Sequence, residues 1–124
     1  MAEALLRRRA GDGFEIYSAG LHPTEVHPLT HRVLNEVGID TSSLRAKGIK
    51  ELLGKVTVRY AIIVCSKAAA SCPQIYPFAL QTLYWPFEDP TACAGTSEER
   101  LQRFRDVRDR IDERLRIWVA EGVT

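Results

Sequence analysis

An α/β domain built on a parallel sheet is predicted by two features of the chain. Val58 to Cys65 is an almost uninterrupted apolar run rich in β-branched residues, the signature of a strand buried on both faces of a parallel sheet. Before and after it lie segments whose apolar residues recur three and four positions apart, as helices require. Strands alternating with helices imply right-handed crossovers and a three-layer sandwich. At 124 residues the chain fits one domain, residues 1–124.

The elements follow in order. Met1 to Ala10 reads as a short helix anchored by Leu5 and Leu6, with Gly11 as its stop. Phe14, Ile16 and Tyr17 suggest a strand ending at Ser18-Ala19-Gly20. Pro28 stands where a helix can begin, since its missing N–H costs nothing there. Leu29, Val33, Leu34 and Val37 give that helix its apolar face, and Gly38 closes it. Ser42 or Ser43 can cap a further short helix running through Leu52 and Leu53. After the buried strand, Leu80 to Trp85 forms a second, weaker one. Thr96 followed by Glu99 is a capping box, and Leu101, Phe104, Val107, Ile111, Leu115 and Trp118 make a single stripe on the last helix.

Composition narrows the function classes. With 45% hydrophobic and 27% charged residues, the chain suits a packed globular domain. A net charge of +1 lacks the basic footprint of a nucleic-acid binder. No apolar run is long enough for a membrane span, and Met1 to Arg9 does not read as a secretory signal. Three cysteines without an export signal point to a reducing compartment, the cytoplasm, where they serve catalysis, redox chemistry or packing. No cofactor is called for.

In sheets of this kind ligands bind beyond the carboxyl ends of the strands. Ser18-Ala19-Gly20, Cys65-Ser66 and Phe87-Glu88-Asp89-Pro90 fall there, so a thiol and a carboxylate are expected at one crevice. Cys65 is followed after six residues by Cys72. That spacing suits a transient disulfide coupled to a conformational change, or else a buried structural Cys65 beside an incidental Cys72. Asp89 is either a general acid or the first residue of an Asp-Pro turn. His22, His27 and His31 lack the flanking ligands of a metal site and are expected on a solvated face. The arginines from Arg100 to Arg116 alternate with acids, which predicts an exposed, salt-bridged helix face. Cys93 is expected to be exposed in a loop.

Taken together, Met1 to Leu6, Tyr17-Ser18-Ala19-Gly20-Leu21, His27-Pro28 with Gly38-Ile39-Asp40, Val64-Cys65 with Cys72-Pro73, and Trp85-Pro86-Phe87-Glu88-Asp89-Pro90 resemble the low-molecular-weight tyrosine phosphatase superfamily. The likeness is greatest to its thioredoxin-coupled arsenate reductase branch and extends over essentially the whole chain. Pro86 stands where the family usually has Gly. The resemblance implies arsenate or a phosphate ester as substrate and a thioredoxin-like reductant as partner. It makes Cys65 and Cys72 a redox pair and Asp89 the general acid.

Members of this superfamily carry a central first strand and a Cys-x-x-x-x-x-Arg-Ser loop just before the segment that Met1 to Leu6 resembles. The loop cradles the oxyanion, and its thiolate is the nucleophile. No such sequence occurs here: the residues six positions beyond Cys65, Cys72 and Cys93 are Ser71, Phe78 and Glu99. The strand and loop amount to roughly 15 residues. The expectation is therefore a chain shortened at its amino end, or a start codon set too far downstream, which is inactive alone. A homo-oligomer or domain-swapped dimer is expected to fill the place of the absent strand. Two other readings are a pseudoenzyme that senses redox state through Cys65 and Cys72, and a tyrosine phosphatase, which the cysteine pair disfavours.

Overall fold

The computed structural model describes residues 1–10, 13–18, 26–42, 44, 48, 57–65, 78–92 and 94–121. Its elements are α1 (Ala2–Ala10), α2 (Pro28–Glu36), β1 (Val58–Ile63), β2 (Ala79–Tyr84), a 3-10 turn (Pro90–Ala92) and α3 (Ser97–Ala120). They fall into two compact units. One comprises Met1–Tyr17, Val26–Arg45 and Asp89–Thr124, and the other Ser18–Glu25 and Ala46–Glu88.

The first unit is helical. Residues of α1 have high helix propensity, with Glu3 in the first turn and Arg7, Arg8 and Arg9 in the last, both favourable to the helix dipole. Nine residues are too few for an independent helix, so tertiary contacts hold it. Leu5 is buried, and Arg9 makes a two-pronged pair with Asp112 of α3 at 2.7 and 2.9 Å. Pro28 occupies the first turn of α2. Gly38 ends that helix at a φ of 83°, where its N–H donates to Asn35 O and that of Ile39 to Leu34 O. Thr96 caps α3, its Oγ accepting from Glu99 N at 3.2 Å. All six apolar residues of the α3 stripe are buried. Val33, Leu101 and Phe104 form a core cluster against which Met1 and Leu29 pack.

Polar contacts lock the same unit. Arg108, 9% exposed, donates from Nη1 to Val33 O at 2.9 Å and to Glu36 at 3.1 Å. It satisfies a carbonyl that the last turn of α2 leaves without a helical partner. Arg8 donates to Val37 O at the same helix end. Arg105 grips Glu36 at 2.7 Å, and Arg116 pairs with Glu113. These bonds and Arg108–Asp109 give α3 the salt-bridged face its alternating charges predict.

Two expectations need correction in this unit. Phe14 to Tyr17 is not a strand: Phe14 and Ile16 are more buried than their neighbours, but no strand is assigned. A strand exists by its ladder, and among the described residues the sheet is β1 and β2 alone. Side chains hold the segment instead: Arg7 donates to Ile16 O at 3.0 Å, and Phe14 stacks on Trp118 with centroids 5.6 Å apart. His27 does not belong to a solvated face. It is half-buried, caps α2 by accepting from Leu29 N at Nδ1 (3.1 Å), and lays its ring on Phe104, centroids 4.9 Å apart.

The second unit holds the sheet. β1 and β2 pair in parallel, in register from Val58 with Ala79 to Ile63 with Tyr84. A crossover therefore joins them, as parallel pairing demands. The strand at Val58 to Cys65 is shorter than expected and is not buried throughout. Arg59 is exposed, and only Ile63 at its end is fully buried. Among the described residues β2 is its one neighbour, so one edge of β1 is covered by a ladder. The further short helix towards Leu52 and Leu53, and the stops at Gly11 and Gly20, lie outside the described residues.

Candidate active site

The carboxyl end of the parallel pair is prolonged beyond the strands. Trp85 N donates to Ile63 O at 2.8 Å, and Phe87 N donates to Val64 O at 2.9 Å. The ladder thus runs to the residue before Cys65, and fixes the backbone from which that thiol projects. Cys65 is half-buried and disulfide-bonded. Cys72 and Cys93 both lie outside the described residues.

Asp89 follows the same ladder by two residues along the chain and is the first residue of the last stretch of the helical unit. It is exposed. Its Oδ1 accepts from Thr91 N at 2.9 Å and from Thr91 Oγ at 2.6 Å, so it initiates the 3-10 turn at Pro90–Ala92. This is the turn-forming behaviour of an Asp-Pro pair. The other carboxyl oxygen takes no part in the turn, so turn formation does not decide between the two readings of Asp89. Each of Cys65 and Asp89 thus follows the carboxyl end of a strand, while they belong to different units. Thr91 was not singled out by its sequence, although a hydroxyl residue two positions after an aspartate is a recognisable signal for such a turn.

Among the described residues no three His, Cys, Asp or Glu side chains converge as a metal site. Among them too, no helix is long and apolar enough to cross a membrane.

The profile described as low molecular weight phosphotyrosine protein phosphatase matches residues 1–123. The chain belongs to that family. Within the family its likeness to arsenate reductases is extensive. It is 35% identical over 123 residues to the arsenate reductase of Halalkalibacterium halodurans, covering 98% of this chain and 86% of that protein. The arsenate reductase of Bacillus subtilis is 32% identical with the same coverage. Among solved structures, an arsenate reductase in its phosphate-binding state aligns with a TM-score of 0.76 and 25% identity, over 97% of this chain and 86% of the other. A thioredoxin-dependent arsenate reductase from Corynebacterium glutamicum aligns with a TM-score of 0.57 and 28% identity, over 96% of this chain and 53% of that one. The α/β class with a parallel sheet, and the family that the motifs resemble, are thereby established, and the protein is arsenate-reductase-like.

Proposed function

We propose that residues 1–124 carry the reducing and proton-donating half of an arsenate reductase, with Cys65 and Cys72 as the disulfide relay and Asp89 as the general acid. The observation that carries the reading is the disulfide at Cys65, at the end of a strand where an α/β sheet presents its chemistry. In the complete reaction a first thiolate attacks arsenate and water leaves, its oxygen protonated with the help of Asp89. The Cys65 thiolate then attacks the sulfur of that adduct. The As–S electron pair passes to arsenic, arsenite departs, and the first cysteine is left in a disulfide with Cys65. Cys72 attacks Cys65, frees the first thiol and leaves a Cys65–Cys72 disulfide. A thioredoxin-like dithiol reduces this disulfide by exchange. A reducing cytoplasm suits such a cycle.

The first thiolate in this scheme belongs to a Cys-x-x-x-x-x-Arg loop, and residues 1–124 do not contain one. Alone, the 124-residue polypeptide is expected to turn over neither arsenate nor an aryl phosphate. Joined to such a loop ahead of Met1 it is expected to gain activity, which Asp89→Asn then lowers by about 10²–10⁴-fold. The relay is tested without turnover. After mild oxidation and alkylation, peptide mapping is expected to recover Cys65 linked to Cys72 and Cys93 alkylated, with the link opened by thioredoxin. A Cys65–Cys93 link, or one that thioredoxin leaves intact, overturns the relay. A second reading, a redox-sensing module without turnover, draws on the same disulfide. It is favoured if the loop-joined protein stays inactive while thioredoxin still opens the Cys65–Cys72 link.

A further inference from the structure

Asp89 is held by one oxygen only. Oδ1 takes both the backbone N–H of Thr91 at 2.9 Å and its hydroxyl at 2.6 Å, the second a short O–H···O bond. Among the described residues nothing donates to Oδ2. An Asp-Pro turn needs the N–H bond, since that bond starts the 3-10 turn. It does not need the hydroxyl bond. An exposed aspartate tied by the N–H alone keeps rotational freedom about its side-chain bonds, and each rotamer points its oxygens elsewhere. Two donors from one residue fix the plane of the carboxyl group.

We propose that Thr91 is a positioning residue for Asp89: its hydroxyl anchors Oδ1 so that Oδ2 is the oxygen that carries and delivers the proton. The inference rests on the reading of Asp89 as the acid. An oxygen already accepting two hydrogen bonds is the poorer place for a proton, so protonation goes to Oδ2. Orientation of an acid before reaction is part of what makes an enzyme group effective.

The test separates holding the carboxyl group from holding the turn. Three-bond couplings from the Asp89 carboxyl carbon to its backbone nitrogen and carbonyl carbon, measured by NMR in the 124-residue protein without substrate, report whether the side chain keeps one χ1 rotamer. Wild type and Thr91→Ser are expected to show one rotamer. Thr91→Val keeps the N–H and the β-branch, and Thr91→Ala removes the hydroxyl without new bulk. Both are expected to shift the couplings to averaged values while the amide spectrum elsewhere and the urea midpoint stay unchanged. Unaltered couplings in both Thr91→Val and Thr91→Ala, or failure of Thr91→Ser to preserve them, overturns the proposal. Because no turnover is read, this result is independent of whether Asp89 donates a proton, which the Asp89→Asn measurement in the loop-joined protein decides.

Discussion

The helical unit and the strand pair are stabilised by different means. In the helical unit the fully buried side chains Phe104, Leu5, Leu34 and Val33 come from three helices, and arginines from α1 and α3 satisfy the carboxyl end of α2. In the strand pair only Ile63 and the following Trp85 are buried, while Leu80 is 79% exposed. Among the described residues, backbone ladder bonds rather than deep burial hold these two strands together. Cys65, the candidate redox thiol, lies at the end of the less buried of the two. If Cys65 acts as the relay thiol proposed above, strands with few buried residues open for a partner at lower cost than a core.

The comparison is broken most strongly in the helical core. Phe104 is 0% exposed, packs with Val33 and Leu101, and supports the His27 ring. Phe104→Ala is expected to cost about 3–5 kcal/mol in urea unfolding. The loss combines burial, a cavity between α2 and α3, and a loosened cap on α2. A cost below about 1 kcal/mol, the scale of an exposed substitution, would mean that the helices do not share the core described here.

Arg108→Met tests the polar lock at smaller amplitude. The thioether retains the apolar stem but leaves Val33 O without its donor and removes one of the two arginines on Glu36. An unsatisfied buried carbonyl costs about 1–3 kcal/mol. The same measurement in Arg110→Met, an exposed position of α3, gives the reference for losing a surface arginine.

What the sequence makes legible follows the same division. The Thr96 cap and the Gly38 stop are each contained within a turn of chain, the α3 stripe repeats turn by turn along one helix, and each appears in the structure as read. Phe14 to Tyr17 shows the limit: its alternation of burial is present, but a strand also needs a neighbour, and that is decided by residues distant in sequence. The same dependence explains why Val58–Ile63 is less buried than an apolar run suggests. His27 was misjudged because its capping role depends on Phe104, far along the chain, as well as on the adjoining Pro28. At the site, Cys65 and Asp89 are legible as chain positions after strands. The hydroxyl bond from Thr91 is a matter of side-chain rotamer and emerges only in three dimensions.

Acid sharpens the contrast through Glu36. The hydrogen bond from Arg105, aided by Arg108, lowers its carboxyl from the ordinary 4.5 to about 2. A folded-state value below the unfolded one means that the stabilisation is complete above pH 4.5 and is lost as pH falls towards 2. Wild-type stability is therefore expected to fall more steeply across that window than that of Glu36→Gln, so the two urea midpoints converge at the acid end. The carboxylates of Asp112 and Glu113, also lowered by arginine partners, are common to both proteins and cancel in the difference. Parallel curves would mean that the Glu36 pair is open to solvent exchange in solution.

The smallest effect is expected on β2. Residues Ala68 to Phe87 contain no charged side chain, and Leu80 is the second residue of a strand that is mostly exposed. Edge strands in folded proteins are usually blunted by a lysine, a proline or a bulge, because an uncharged edge recruits other chains. Leu80→Lys adds such a charge where the leucine has little burial to lose, so urea stability is expected to change by no more than about 0.5 kcal/mol. Aggregation on heating, followed by light scattering, is expected to slow, since the substitution breaks an apolar, uncharged segment of high strand propensity. Thr82→Lys, on the same face two residues further along the same strand, serves as the second variant. If Leu80→Lys instead lowers stability by more than about 1 kcal/mol, well beyond the range of an exposed position, then Leu80 is covered in solution. A mass by light scattering that falls from dimer to monomer in the variant would identify the cover as a second copy of this chain. The strand pair would then owe its stability to a partner, where the helical unit owes its own to its core.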